Sequence, residues 1–405
     1  MISVDEARTR ILSSFEPLPP EDVGLDEALG RVLAQDVRAR RTQPPTAISS
    51  MDGYAARSAD LSEAPKVLKQ VGKAPAGGAF SGVVGPNETV RIFTGGPIPD
   101  GADTIVIQEN TESEGDRITV RVSAKAGQYI RNAGLDFNTG EVGLSSGKIL
   151  TARDISLAAA MDFPWLTVYR KPRIAILATG DEVVRPGEPI GPNQIVSSNA
   201  IALQAFVKIC GGTAINLGIS PDKADTLRKM ANGARGSDLL VTTGGISVGE
   251  HDLVRQALNS SGLKVDFWRV AMRPGKPVMY GQLGGVPVLG LPGNPVSVMV
   301  CALVFLSPVL NCLLGLPNDN GAVIEKAFLA SPLSENDRRQ DYLRATLKRH
   351  KDGSLWAQPF ERQDSSMISL LAKAQCLIIR VPNAAAADAG QTVEVMRFPS
   401  GLARL

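Results

Sequence analysis

Three stretches decide how this chain folds: RIAILATGDE at 173–182, DLLVTTGGISVGEHD at 238–252 and PVLGLPGNPVS at 287–297. In each, a strand-length run of apolar and β-branched residues ends in glycine and polar groups, and helical spacing follows. The same alternation fills the gaps between them. RIAILA precedes a helical SNAIALQAFVKIC, TAINLGI precedes KADTLRKMANGA, and DLLVTT precedes DLVRQALNSS; VDFWRVA, PVMYG and PVLGL then lead into a helix without charge. Strands alternating with helices of about ten residues form right-handed βαβ units, so the centre of the chain is predicted to be an α/β domain with a parallel sheet.

The flanks read differently. Between Pro44 and Arg131 the short runs KVLKQV, TVRIF, TIVIQ and ITVRV are separated by Gly, Pro and Asn clusters, which predicts a small all-β module. Beyond Leu316 short strands return as YLRATLK, LWAQP, CLIIRV and TVEVMRF, the mark of a separate β domain. Residues 1–42 read as helical: Ser3 caps, Glu6 closes a capping box, and Val4, Ala7, Ile11, Leu12 and Phe15 share a face. A second stripe of Leu25, Ala28, Leu29, Val32 and Leu33 follows at helical spacing, and TARDISLAAAM at 151–161 predicts a further helix. A chain of 405 residues suits two to four domains at about 100–200 residues each.

Composition excludes several functions. The 43 Lys and Arg against 41 Asp and Glu leave a net charge of +2, which argues against nucleic acid as a partner. Two histidines, His251 and His350, leave little for triads or imidazole metal sites. Gly245 to Gly249 fits GxSxG after a strand, but His251 lies only four residues on and His350 falls in another domain, so a hydrolase is set aside. Neither GxxxxGK[ST] nor GxGxxG occurs. Cys210, Cys301, Cys312 and Cys376 show no CxxC spacing and read as buried thiols of a reduced cytoplasm. The uncharged stretch from Pro277 to Asn318 is cut by Pro287, Pro292, Pro295 and Pro308. Its longest apolar run, VSVMVCALVFL, is too short for about 30 Å of hydrocarbon, so it reads as a core or interface helix and no membrane is expected.

In an open α/β sheet, ligands sit beyond the carboxyl ends of the strands. There the loops Ala178–Glu182, Thr242–Asp252 and Leu291–Ser297 converge. Glycines such as Gly244 and Gly245 let backbone N–H groups approach a ligand, and helix N-termini add positive potential, so the loops suit phosphate or another oxyanion. Any one of them alone is an ordinary turn; three in one domain favour a site. Asp181, Glu182, Glu250 and Asp252 are hard oxygen donors without histidine or cysteine ligands, which favours Mg²⁺ held jointly with substrate phosphates. Glu182 and Asp252 are the preferred ligands; the competing reading has these acids complementing helix dipoles. FWRVAMRPGKP at 267–277 places Arg269, Arg273 and Lys276 close together, with Arg269 and Arg273 on one face of a continuing strand, suited to phosphate or a tetrahedral dianion, or else to a solvated edge. SSMDGYA at 49–55 and FTGGPIP at 93–99 are polar turns, weak signals by themselves.

Taken in order, EALGRVLAQDV, PPTAISSMDGYA, TGGPIPDGAD, AGLDFNTGE, ILATGDEV, TTGGISVGEHD, RPGKP, GLPGNPVS and DYLRA closely resemble the MoeA and gephyrin E-domain family of molybdopterin molybdenumtransferases, from Glu27 to Ala345. The resemblance implies an α/β plus β multidomain fold. A discontinuous helical domain would take 1–42 and 133–170, an inserted β domain 43–132, a MogA-like α/β molybdopterin-binding domain 171–317, and a C-terminal β barrel 318–405. The implied activity inserts molybdenum from molybdate into adenylylated molybdopterin, with Mg²⁺ and release of AMP, in an elongated homodimer whose site lies between chains; molybdopterin adenylyltransferase is a further implied partner. Matching motifs put functional positions at Asp52, Thr94, Asp136, Glu182, Asp222, Asp252, Pro292, Pro295, Arg344 and Ser365. For molybdate the candidate ligands are Arg273, Lys276, Ser247, Ser297 and loop amides. Arg269 and Arg273 stand where many members have lysine, a planar fork in place of a point charge. Two other functions stay open: a scaffold that binds molybdopterin without turnover, and a molybdopterin adenylyltransferase, which the central domain alone resembles.

Overall fold

The structure is a computed structural model and describes residues 1–245, 262–317 and 323–398. The expected helix DLVRQALNSS, Ser247 and Asp252 lie outside the described residues.

At the centre is a six-stranded sheet in the order Thr213–Ser220, Arg173–Thr179, Leu239–Thr243, Val286–Leu291, Met279–Leu283, Lys264–Trp268. The first four strands are parallel, Met279–Leu283 runs against them, and Lys264–Trp268, antiparallel to it, runs with the first four. Ile174, Ile176, Val241 and Leu289 enter one core; Ala175, Leu177, Leu240 and Val288 enter another on the opposite face. Burial on both faces is why these strands read as unbroken apolar runs.

The uncharged segment forms a helix from Pro295 to Leu313, 19 residues with a mean hydropathy of 2.3. That is longer than the eleven-residue run expected, because Pro308 does not end it. The preceding Ala302–Leu306 turn widens into a π-helix, which accommodates a ring that has no N–H to donate. By length and composition the helix could span a bilayer, but 89% of its most apolar stretch is buried inside the protein, as expected of a core helix. Part of its cover is the N-terminal helix Val4–Leu12, whose Val4, Ala7 and Ile11 join the α/β core. Ser3 caps that helix as expected, accepting from Glu6 N at 3.1 Å, while the Glu6 carboxylate turns to Arg10 instead of closing a capping box.

The stripe from Leu25 to Leu33 does not become a helix. Only Leu25–Glu27 makes a 3₁₀ turn; Gly30 takes φ +72°, Leu29 is exposed, and Val32 and Leu33 bridge to Ile149 and Val168. Tertiary pairing with residues 142–169 outweighs local spacing there. Short ladders, Pro20–Gly24 on Trp165–Tyr169 and Val37–Arg38 on Val142–Leu144, share a core with the helix Ala152–Ala160, which opens on a complete Thr151/Asp154 capping box. Between these halves the β insertion is a six-stranded sheet, ordered Thr104–Ile107, Gly53–Ala56, Glu88–Ile92, Lys66–Ala74, Arg117–Val120, Thr111–Glu114.

The C-terminal strands close on themselves. Gln340–Arg349, Leu355–Pro359, Ile324–Leu329, Thr392–Arg397 and Cys376–Arg380 form a five-stranded barrel, sealed where the last pairs with the first. The short strand Met272–Arg273 leaves the α/β domain and adds to the barrel beside Gln340 and Asp341. All four cysteines are free; Cys210, Cys301 and Cys376 are buried and Cys312 half-buried. Burial pushes the Cys210 and Cys376 thiols up to about 12.

Candidate functional site at the carboxyl edge of the α/β sheet

Ala178 pairs with Thr243, and Thr243 with Leu291, so three neighbouring parallel strands end level. Their loops are in contact. Gly244 has φ +86°, and a Cβ there would lie 2.4 Å from the carbonyl oxygen of Thr179, so only glycine lets the second loop lie on the first. Thr243 Oγ1 donates to Pro292 O at 3.0 Å, and Asn199 Nδ2 donates both to Gly293 O at 2.6 Å and to Thr243 Oγ1 at 3.2 Å. Sequence reasoning missed Asn199. The available signal was a polar SSN at a helix start, on the loop-bearing edge of the sheet.

Carboxylates gather at the first loop. Asp181 accepts from the backbone N–H of Asp222 at 3.0 Å. Desolvation, then the charges of Asp181 and Glu182, pushes the Asp222 carboxyl above the usual carboxylate range. Glu182 and Asp222, matched to the family separately, thus share one acidic corner, with Glu182 exposed to solvent.

At the third loop, Pro295 opens the core helix and Ser297 is buried in its first turn. Here the barrel reaches in: Asn294 Nδ2 donates to Ser365 Oγ at 2.8 Å, and Val296 N to Ser365 O at 3.1 Å. Arg344 shapes the segment that presents Ser365. Only 1% exposed, it donates to Met367 O at 3.0 Å, Asp364 O at 2.9 Å, Arg362 O at 3.4 Å and Gln363 Oε1 at 3.3 Å. Four of its donations go to oxygens of residues 362–367, so Arg344 braces that segment.

The expected trio Arg269, Arg273 and Lys276 is also rearranged. The strand stops at Trp268, and Arg269 takes φ +80° with its guanidinium 3.9 Å from the centre of the Trp268 ring. Arg273 belongs to the barrel-side strand, so the two arginines do not share the face of one strand. Arg273 Nε donates to Asp341 Oδ2 at 3.0 Å, its Nη2 also contacts that oxygen, and Asp337 lies 3.7 Å away. Half-buried Lys276 accepts through its backbone oxygen from Val270 and Val278. A cleft of about 620 Å³ opens beside Arg273 and Pro274, lined on the barrel side by Tyr342, Arg344 and Phe360.

In the β insertion, Asp52 Oδ1 accepts from Thr94 N at 2.7 Å and from Thr94 Oγ1 at 2.8 Å. These bonds, the backbone one first, hold the Asp52 carboxyl below the usual range, and the Arg91 charge adds to them. Asp136 is exposed and donates its N–H to Gln43 O at 3.0 Å. Among the described residues, the hydrogen bonds of Asp52, Thr94 and Asp136 all stay within 43–136. The structure therefore joins Asp52 to Thr94, Glu182 to Asp222 and Ser365 to the third loop, but does not bond the first pair to the other two.

These features define a class: an α/β enzyme domain with clustered loops, carrying a β insertion ahead of it and a β barrel behind. The chain matches the MoeA N-terminal region (domain I and II) over residues 2–161, a probable molybdopterin binding domain over 175–311, and the MoeA C-terminal region (domain IV) over 326–398. A molybdopterin molybdenumtransferase of Haemophilus influenzae is 32% identical over 98% of this chain and 99% of its own length. One from a Nostoc species is 37% identical over 81% of this chain and 77% of its own. Among solved structures, the molybdopterin biosynthesis MoeA protein of Pyrococcus horikosii superposes with a TM-score of 0.86 at 28% identity, covering 99% of this chain and all of that one. The chain belongs to the MoeA family of molybdopterin molybdenumtransferases, and is a transferase.

Proposed function

We propose that this chain inserts molybdenum from molybdate into adenylylated molybdopterin and releases AMP. The observation that carries the reading is the meeting, at one sheet edge, of an acidic corner (Asp181, Glu182, Asp222) with two loops of oxyanion-binding type and a barrel serine, Ser365. In this reading the Gly244–Gly245 amides and Asp222 bind and orient the adenylylated substrate, while Lys276, Ser297 and Ser365 hold molybdate. Several donors at once are what a tetrahedral dianion requires.

The donor set fits Mg²⁺. Glu182 is exposed beside two further carboxylates; burial first, and then the charges of Asp181 and Glu182, raise the Asp222 carboxyl, and a hard cation would relieve that clustered negative charge. Among the described residues no three such groups close into a ready-made metal cage. A Mg²⁺ shared with substrate phosphates needs none. Glu182, with Asp252, would hold it, and the bound ion would neutralise charge as the phosphoanhydride breaks. A second copy of the chain would bring its own Asp52–Thr94 pair and Asp136 to this edge, so we infer a homodimer; a reduced cytoplasm and contact with molybdopterin adenylyltransferase belong to the same reading.

The test is molybdate-dependent AMP release from adenylylated molybdopterin and Mg²⁺. Absence of AMP with tight product binding would favour a scaffold; ATP consumption with free molybdopterin would favour the adenylyltransferase. Against that last function stands the β insertion with SSMDGYA and TGGPIP, which a central domain alone would lack.

A further inference from the structure

We infer that Asn199 is a positioning residue for the molybdate side of the site, acting through the Pro292–Ser297 loop on Ser365. The inference rests on the reading above for what that side binds, and on geometry for everything else.

Asn199 is the first residue of the helix Asn199–Ile209, which leaves the sheet beside the clustered loops. Its amide donates to Gly293 O at 2.6 Å and Thr243 Oγ1 at 3.2 Å, and Thr243 passes its own proton to Pro292 O at 3.0 Å. Because a carbonyl oxygen can only accept, the atom facing Gly293 must be the amide nitrogen. Thr243 is 2% exposed, and its hydroxyl donates once and accepts once. Two successive carbonyls, Pro292 and Gly293, are therefore fixed from two different elements. The residue that follows, Asn294, is the one whose side chain reaches Ser365 Oγ at 2.8 Å. One line of hydrogen bonds thus runs from the helix, across the end of the Leu239–Thr243 strand, through the third loop, to the barrel. Its far end is Ser365, bonded to the buried first helical turn that carries Ser297. The acidic corner is not on this line: Asp181 and Asp222 are bonded to each other and to neither Asn199 nor Thr243.

An effect confined to one substrate follows. In Asn199→Ala of the full chain, KM for molybdate is expected to rise about tenfold, the equivalent of one or two lost hydrogen bonds, while KM for adenylylated molybdopterin stays within about twofold. Amide hydrogen exchange, read by mass spectrometry without any substrate, is expected to quicken in residues 291–297 and also in 362–367. Gln204→Ala, which cuts only a bond to Ala200 O inside the same helix, is expected to change none of these. Should Asn199→Ala fail to fold, Asn294→Ala severs only the last link, with a rise of about threefold in the molybdate KM and faster exchange in 362–367. Equal rises in both KM values, or unchanged exchange in 362–367 in the variant that folds, overturn the proposal. If the wild-type chain releases no AMP, the transferase reading falls, and the exchange measurement alone still decides whether Asn199 positions the barrel loop.

Discussion

The α/β loop cluster and the β insertion hold their functional residues in opposite ways. In the cluster, loops from three strands and a barrel segment are fixed by one another: a glycine pressed on a carbonyl, an asparagine spanning two loops, a serine received from another domain. In the insertion, the Asp52–Thr94 pair joins two turns of the same module, and among the described residues its hydrogen bonds stay inside that module. The difference teaches where disruption should travel. A change in the cluster should spread across loops and into the barrel, whereas a change in the insertion should stay local and, in the proposed dimer, be repairable by an intact copy from another chain.

The largest effect is expected at the tightest contact. Gly244→Ala must place a Cβ against Thr179 O and hold an L-residue at φ +86°, so we expect a loss of about 3 kcal/mol by denaturant titration. A variant as stable as wild type would mean that the two loops are not packed together. Next come the carboxylates. Glu182→Gln, Asp252→Asn and Asp52→Asn are each expected to lower AMP release at least about tenfold with unchanged thermal unfolding. Mixing Asp52→Asn chains with Glu182→Gln chains should then restore about a quarter of wild-type activity if the proposed two-fold dimer forms, because half of the randomly paired molecules would carry one intact composite site. No recovery would place both halves of the site within one chain and break the comparison.

Much of this was legible in the sequence because the α/β pattern is local: each strand ends in its own glycine and polar group, so the three loops could be aligned without knowing the packing. What stayed hidden depended on partners distant in the chain. Asn199 looks like a helix-start residue, and its meaning comes only from Gly293, 94 positions away. For Arg344 the motif DYLRA marks a functional position, but nothing local shows that residues 362–367 fold back and turn four carbonyl or amide oxygens onto it. Arg269 and Arg273 were expected on one strand; the positive φ at Arg269 sends the chain out of the sheet and into the barrel. Leu25 to Leu33 kept helical spacing, yet Gly30 and pairing with distant strands prevailed.

Arg273 offers a smaller effect at the junction between the α/β domain and the barrel. Its partner Asp341 is buried, and burial pushes that carboxyl above the usual range while Arg273 opposes the shift. Arg273→Ala should cost about 1 kcal/mol of stability at neutral pH, a figure already reduced because the arginine itself is half-exposed. The sign with pH is set by the raised carboxyl. A group whose folded pKa exceeds its unfolded value destabilises the fold when ionised, so the deficit should shrink as pH falls through the folded pKa of Asp341. A deficit that grows on acidification would show that Asp341 is not the group left without its partner.

The smallest effect is the most specific to the β insertion. Thr94→Val keeps the backbone N–H that Asp52 accepts and deletes only the hydroxyl, leaving the turn in place. Since both bonds favour the charged carboxylate, losing one should move the Asp52 pKa upward, toward its ordinary value. If transfer needs that carboxylate ionised, the acid limb of the rate profile should move to higher pH by the same amount, with the neutral-pH rate nearly kept. Carboxyl chemical shifts of Asp52 followed by NMR, beside the rate profile of the same variant, make the test strict. A shifted pKa with an unmoved acid limb would assign Asp52 to shaping the turn, and movement of both would assign it a charged role. In either case Asp222, at the other end of the comparison, should titrate as before, because no bond among the described residues carries the change from the insertion to the acidic corner.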